Sequence, residues 1–303
     1  MSKSARSDPA KLVEISKTLA EALPFMRQFS GQTFVIKFGG HAMGDDDLAV
    51  SFAEDIVMLR QVGIHPVVVH GGGPQIGEML ARLNIESAFI DGLRVTDRTT
   101  VDIVEMVLSG SINKQIVDSI QRAGGTAVGL SGKDGRLIEA QQMRRTTRDP
   151  DSNIEKILDL GFVGEPVTIN TKALDVLRQS DIIPIIAPIG VGPKGETYNI
   201  NADTAAGAIA GALGASKLLM LTDIAGVLDE YQEVMPTLSK KQATQLMKGG
   251  IITGGMIPKV ETCLEAVRRG TSAVHILDGR IKHVLLLEVF TEHGVGTMIR
   301  ADD

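Results

Sequence analysis

Two apolar runs in this chain, 33–38 and 66–70, each end in a glycine cluster that opens directly into a helix-like stretch. The first turns on Gly39-Gly40 and the second on Gly71-Gly72-Gly73-Pro74. Apolar runs of strand length that turn on glycine into helices are the pattern of βαβ units, and such strands need helices on both faces of the sheet. The alternation continues with helices expected near 47–62 and 74–83, a long helix at about 99–122, and strands at 126–130, 182–189 and 217–221. The expected fold class is α/β, a three-layer arrangement around a largely parallel central sheet. A softer boundary at 161–172 follows a polar stretch with Arg144, Arg145, Arg148, Asp149, Pro150 and Asp151. Nothing there reads as a flexible linker, so two lobes of one continuous sheet with a cleft between them are as compatible as separable domains.

Composition removes several function classes. With 43% hydrophobic side chains in 303 residues, the chain buries a real core and is neither disordered nor fibrous. A net charge of −6, 3% aromatic residues and no Trp leave no basic or base-stacking footprint for nucleic acid. No apolar stretch approaches the roughly 20 residues that cross a bilayer, and Lys11, Glu14, Lys17 and Glu21 stand where a signal peptide needs an apolar segment. The lone Cys263 fits a reducing compartment and a place in the core. A cytoplasmic protein is expected, with neither a nucleic-acid nor a membrane partner.

The first 30 residues read as an amphipathic helix. Asp8 suits the cap, Pro9 the first turn, and Leu12, Ile15, Leu19, Leu23 and Met26 recur at spacings of three and four. Pro24 is expected to kink or end it. Its apolar stripe either packs on its own domain or docks on another subunit.

The chemistry gathers at the strand ends. The G-x-x-x-x-G-K-[ST] phosphate loop is absent, and Gly190 to Gly195, although it satisfies G-x-G-x-x-G, runs into Thr197-Tyr198-Asn199 and reads as a hairpin. The loops at Gly39-Gly40 and Gly71-Gly72-Gly73 are different. Both precede helices, so backbone N–H groups and helix N-termini face a common crevice at the carboxyl ends of the strands, a setting for phosphate or carboxylate. Lys37, in an otherwise apolar strand, and Lys259, after Gly254-Gly255, would clamp a transferring phosphoryl group there. Asp203 reads as a cap or first-turn acid of a helix at 204–213, and also as a carboxylate that holds the lysines, with Asn199 and Asn201 beside it for substrate. Arg94, in a hairpin-like segment, offers a planar fork to a carboxylate or else forms a plain salt bridge. The histidines show no metal-ligand spacing, and no covalent nucleophile can be argued, so neither a protein-held metal nor acyl-enzyme chemistry is expected.

Five segments together carry a resemblance: Lys37-Phe38-Gly39-Gly40, His70-Gly71-Gly72-Gly73-Pro74, Gly92-Leu93-Arg94-Val95-Thr96, Asn199-x-Asn201-Ala202-Asp203 and Gly254-Gly255-Met256-Ile257-Pro258-Lys259. In this order, from about Thr33 to the C-terminus, the chain resembles the acetylglutamate kinases of the amino acid kinase superfamily. The resemblance implies the α/β/α sandwich of that superfamily. It also implies transfer of the γ-phosphoryl group of Mg-ATP to the side-chain carboxylate of N-acetyl-L-glutamate, a step of arginine biosynthesis. By the family pattern Lys37 and Lys259 stabilise the moving phosphoryl group and Asp203 positions them. Gly71, Gly72, Gly73, Arg94, Asn199 and Asn201 hold acetylglutamate, while Gly39, Gly40, Thr222, Asp223, Gly226 and Met256 lie beside ATP, whose Mg2+ arrives on the nucleotide. Residues 31–303 form the kinase domain, with about 31–180 on the acetylglutamate side and about 181–303 on the ATP side.

The N-terminal helix, residues 1–30, is similar to the extension of the arginine-inhibited members, in which such helices interlace dimers into a homohexamer, a trimer of dimers. That likeness implies L-arginine as inhibitor, bound near His275, Glu288, Gly294 and Gly296, with Phe25 or Phe29 as the only aromatic contact the helix can supply. Two competitors remain at this point. One is another amino acid kinase acting on carbamate, aspartate, glutamate or UMP; the other is a non-catalytic arginine sensor.

Overall fold

The computed structural model describes residues 9–90, 92–148 and 155–302. Asp8, Asp149, Pro150 and Asp151 therefore lie outside the described residues. Eight strands form one sheet, in the order Thr237–Ser239, Thr297–Arg300, Ala273–Asp278, Lys217–Thr222, Thr33–Phe38, His65–His70, Ile182–Ala187 and Thr126–Ser131. Every pairing is parallel except Ala273–Asp278 with Thr297–Arg300. The central strand Thr33–Phe38 is buried along its whole length, as a strand covered on both faces must be.

Because successive residues of a strand point to opposite faces, the sheet sorts its side chains into two layers. Phe34, Ile36, Phe38, Val68, Leu219 and Leu277 face one hydrophobic cluster, together with Ile56 and Leu59 of the helix Asp46–Gln61 and Val104, Ile116 and Ile120 of the helices beyond. Val35, Val67, Val69, Leu218 and Met220 face the other, against Ala205 and Ile209 of Ala202–Leu213 and Val260 and Cys263 of Met256–Arg268. This alternation also places the polar residues. Lys37 shares the face of Val35 and so points to the layer of Ala202–Leu213, whereas His70 shares the face of Val68 and His275 that of Leu277. Cys263 is in the core, 3.6 Å from the sulfur of Met220, and burial pushes its thiol pKa up.

The helices start where side chains can satisfy their first N–H groups. Asp45 accepts from the Leu48 N–H at 3.0 Å, Asp97 from Thr100 at 2.7 Å, and Asn201 from both Asp203 and Thr204. A small closed barrel of Ile138–Gln142, Val163–Ile169, Ile189–Val191 and Thr197–Ile200 sits beside the sheet, and the hairpin expected after Gly190 is two of its strands.

Two local expectations are corrected and a third is narrowed. The helix Pro9–Phe29 runs through Pro24 without ending. Pro24 is solvent-exposed, so water can serve the carbonyl left without its helical partner. The apolar run at 182–189 is two strands, Ile182–Ala187 and Ile189–Val191, because Pro188 offers no N–H to a ladder and lets the chain leave the sheet for the barrel. The long helix at about 99–122 contains a π turn, Met106–Ile112, between Arg98–Glu105 and Asn113–Arg122.

Candidate active site

The chain leaves Thr33–Phe38 for His65–His70 on one side and later returns to Lys217–Thr222 on the other, so the sheet order reverses at the central strand. Ligands of open α/β sheets bind at the carboxyl ends of strands at such a reversal. A cavity of about 300 Å3 lies there, and a broader groove of about 860 Å3 adjoins it, the two sharing Gly92, Leu93, Asn201, Asp203 and Lys259. The helices Gly73–Arg82, Ala202–Leu213 and Met256–Arg268 begin beside this crevice, and their N-termini favour anions.

Asp203 occupies the centre. Its Oδ1 lies 3.0 Å from Lys37 Nζ and its Oδ2 3.0 Å from Lys259 Nζ, so one carboxylate bridges two ammoniums delivered by the central strand and by Met256–Arg268. The helix cap is Asn201, not Asp203: because Asn201 serves the first N–H groups, the Asp203 carboxylate in the first turn is left for the lysines. Burial acts to raise its pKa, but Lys37 and Lys259 outweigh that and hold it below the usual carboxylate range. Two cations against one anion leave the cluster with positive charge to spare, facing the cavity.

The glycine loops shape the opposite wall. Gly72 ends its loop against the π turn, where an added Cβ would have to push aside the side-chain tips of Ile112 and Leu108. Gly40 has φ +74° and a Cβ there would stand 2.5 Å from Asp223 Oδ1, so glycine is needed twice over. Arg94 is 8% exposed and stacks over Phe89 at 4.6 Å from the ring centre. Its guanidinium donates to the Gly73 carbonyl at 2.9 Å and to Ser87 Oγ, and burial lowers its pKa. Among the described residues Arg94 makes no salt bridge; its partners Gly73, Ser87 and Phe89 are neutral, which leaves its charge for an anion. Asn199 Nδ2 reaches Thr96 Oγ1 at 3.5 Å.

Of the residues singled out from sequence, Lys37, Lys259, Asp203, Gly39, Gly40, Gly71, Gly72, Gly73, Arg94, Asn199 and Asn201 all line the cavity. Thr222, Asp223, Gly226 and Met256 line neither cavity nor groove. Asp223 adjoins Gly40, Gly226 backs onto Thr297, and Met256 packs against the second core cluster. Ser87, Phe89 and the π-turn residue Leu108 belong to the site as well. The pairing of Phe89 with Arg94 in a short hairpin was the available signal for Phe89; nothing in the sequence marks a π turn.

The remaining four lie elsewhere, around the strand Ala273–Asp278, where His275 is on the sheet face opposite that of Lys37. His275 Nδ1 is 2.6 Å from Glu288 Oε1, the second Glu288 oxygen accepts the Val295 N–H at 2.8 Å, and Lys217 Nζ lies 3.0 Å from His275 Nε2. Gly294 adjoins Glu288, and Gly296 passes the Ile276 carbonyl. Phe29, not sequence-adjacent to any of them, lies under Lys217 Nζ at 5.2 Å.

Comparison with known proteins fits this geometry. Residues 32–278 match the model of the amino acid kinase family. The acetylglutamate kinase of Rhodospirillum rubrum is 64% identical over 286 residues, 94% of this chain and 92% of that protein. The chain belongs to the acetylglutamate kinases of this family. The acetylglutamate kinase of Parvibaculum lavamentivorans is 58% identical over 298 residues, 98% of each chain. Among solved structures, N-acetylglutamate synthase from Neisseria gonorrhoeae, complexed with coenzyme A and N-acetyl-glutamate, superposes with a TM-score of 0.80 at 26% identity. That match covers 95% of this chain and 64% of the synthase. Carbamate kinase from Giardia lamblia shares the fold, with a TM-score of 0.63 at 17% identity over 90% of this chain and 99% of that one.

Proposed function

We propose that this protein transfers the γ-phosphoryl group of Mg-ATP to the side-chain carboxylate of N-acetyl-L-glutamate, giving N-acetyl-L-glutamyl 5-phosphate for arginine biosynthesis. The observation that carries the reading is Asp203 bridging Lys37 and Lys259 beside a cavity that also holds the buried fork of Arg94. The small cavity takes acetylglutamate, mostly on residues of about 31–180 with Asn199 and Asn201 from the other side. The adjoining groove and strand ends of about 181–303 take ATP. Mg2+ would come with the nucleotide and would supply counter-charge to its phosphates.

The acceptor carboxylate is already a nucleophile at neutral pH and needs no general base, which leaves positioning and charge stabilisation to the protein. A carboxylate oxygen forms a bond to the γ-phosphorus while the bond from that phosphorus to the bridging oxygen of ADP breaks. Lys37 and Lys259 stabilise the charge on the moving group, and Asp203 keeps both ammoniums apart and aimed. Backbone N–H groups of the glycine loops serve the phosphoryl oxygens and the acceptor. Arg94, with Asn199, holds the other end of acetylglutamate; this favours an acylated amino acid over carbamate or UMP as acceptor.

ADP release from Mg-ATP, measured in parallel with N-acetyl-L-glutamate, glutamate, aspartate, carbamate and UMP, tests the assignment. Turnover confined to acetylglutamate is expected. Turnover with a different acceptor overturns the substrate, and none at all overturns the enzyme in favour of a sensor.

Feedback inhibition by L-arginine and a homohexameric assembly belong to the same proposal. The helix Pro9–Phe29 supports the second, since Leu12, Leu19 and Leu23 are about half exposed along one stripe. Glu288, Lys217 and Phe29, gathered where that helix meets the sheet, support the first. Deleting residues 1–28 is expected to give smaller, active, arginine-insensitive particles, read by light scattering and by the ADP assay. A truncated protein that stays hexameric refutes the role of the helix. No helix among the described residues is long and apolar enough to cross a membrane, and the proposed setting is the cytoplasm.

A further inference from the structure

His70 ends the strand His65–His70 fully buried, and it does not line the cavity that Gly71, Gly72 and Gly73 line immediately after it. Its Nδ1 is 2.8 Å from the Gly71 carbonyl oxygen and its Nε2 is 3.2 Å from Nδ2 of Asn113. Asn113, also fully buried, opens Asn113–Arg122 directly after the π turn. A π turn carries extra residues per turn and so rotates the helix face that follows it; here that face brings Asn113 inward.

The Asn113 amide has only one orientation that satisfies its surroundings. Its Nδ2 faces the carbonyls of Ile185 at 2.9 Å and Leu130 at 3.3 Å, which can only accept, and its Oδ1 faces the Lys114 ammonium at 3.0 Å, which can only donate. His70 Nε2 therefore faces a donor group, whose two hydrogens it shares with the two carbonyls, and no acceptor that a proton of its own could serve, whereas Nδ1 faces the Gly71 carbonyl, which can only accept. Burial pushes the His70 pKa down to about 4, so the ring is neutral near pH 7 and carries one proton. That proton sits on Nδ1 and is donated to the Gly71 carbonyl.

The consequence follows from peptide geometry. In a trans peptide the C=O of one residue and the N–H of the next point in opposite directions, and no cis bond occurs among the described residues. Drawing the Gly71 carbonyl towards buried His70 turns the Gly72 N–H the other way, to the side of the cavity. That N–H has no partner among the described residues, while the Gly71 N–H is tied to the Phe38 carbonyl at 2.7 Å. We propose that His70, locked as its Nδ1–H tautomer by Asn113, is a positioning residue that fixes the Gly71–Gly72 peptide and holds the Gly72 N–H as a preorganised donor to anionic oxygen in the cavity. The inference rests on the phosphoryl-transfer reading of that cavity and adds a device outside it.

Two amide replacements separate this role from packing. His70→Asn places an N–H near the former Nδ1, whereas His70→Gln places its amide near the former Nε2 and leaves the Gly71 carbonyl without a donor. The expected result is a kcat loss of about tenfold or more for His70→Gln and His70→Leu, with His70→Asn recovering to within about threefold and the KM for ATP little changed. A histidine with only a packing role would instead make activity follow Tm across the three variants. Equal kcat for the Asn and Gln variants at matched Tm overturns the proposal.

A long-range proton–nitrogen correlation spectrum of the unmodified protein reads the tautomer without any substitution. A proton on Nδ1 is expected, and one on Nε2 overturns the assignment. Absence of turnover in the unmodified protein would sink the phosphoryl-transfer reading, with the spectrum still deciding the tautomer. Normal turnover with indistinguishable Asn and Gln variants would sink this inference alone.

Discussion

The two faces of the same sheet carry clusters built from similar parts, and they differ in the balance of charge. On the face of Lys37, two lysines share Asp203, and the surplus cation faces a cavity. On the opposite face, Lys217, His275 and Glu288 form a closed row of one cation, one anion and an imidazole between them. Lys217 donates to His275 Nε2, so the ring proton sits on Nδ1 and is donated to Glu288, whose second oxygen takes the Val295 N–H. The first cluster is incomplete without an anion. The second is complete as it stands, so a ligand there must bring its own charge and displace part of the row. A buried group of ionisable residues thus points to chemistry when its charges fail to cancel, and to structure or regulation when they do.

The largest effect should come from breaking the surplus. Lys37→Ala or Lys259→Ala is expected to lower kcat by roughly 10²-fold or more, about 2.7 kcal/mol, the scale of losing one preorganised donor. Initial-rate kinetics on folded variants decide it, and a loss below about threefold would remove the lysine from the clamp. Arg94→Lys is a milder break. It keeps the charge but loses the planar fork that holds Gly73 and Ser87 and lies over Phe89, so the KM for acetylglutamate should rise about tenfold, or 1.4 kcal/mol. An unchanged KM would move acetylglutamate away from Arg94.

The Asp203 cluster was far more legible in the sequence than the features that support it. Glycine runs and a lysine in an apolar strand are local signals, and strand alternation puts Lys37 on one face of the sheet, the face that the structure covers with the helix carrying Asp203. The π turn is not local in this sense, since Leu108 and Ile112 within it pack on Gly72, far away in sequence. Without it the pairing of Asn113 with His70 cannot be anticipated, and a histidine in a buried strand reads as core. The role of Asn201 as cap was missed for a related reason: Asn-x-Asp offers two capping residues, and only the phase of the helix chooses between them. Of the kink or end expected at Pro24 the helix Pro9–Phe29 excludes the end, since the carbonyl that loses its partner there is exposed to water.

The smallest expected effect tests the row around His275 through pH. Burial pushes the His275 pKa down, with Glu288 opposing. Burial would raise that of Glu288, but His275, the Val295 N–H and Lys217 together bring it below the ordinary carboxylate value. In both cases the unfolded chain binds protons more readily than the folded one. Their contribution to stability is therefore fully present above the ordinary histidine value and is lost as pH falls, first through the histidine range and then through the carboxylate range. The urea midpoint of the unmodified protein should fall on acidification. Glu288→Gln removes one titrating group and the anion that its neighbours rely on, so it should lower the midpoint near pH 7 and flatten the carboxylate part of the acid limb. It should also abolish the response to L-arginine while kcat stays near that of the unmodified protein, because the row lies away from the Asp203 cluster. An acid limb of unchanged slope would mean that Glu288 is not held ionised by the row. A large loss of kcat would mean that the two faces of the sheet are not independent, and the comparison between them would fail.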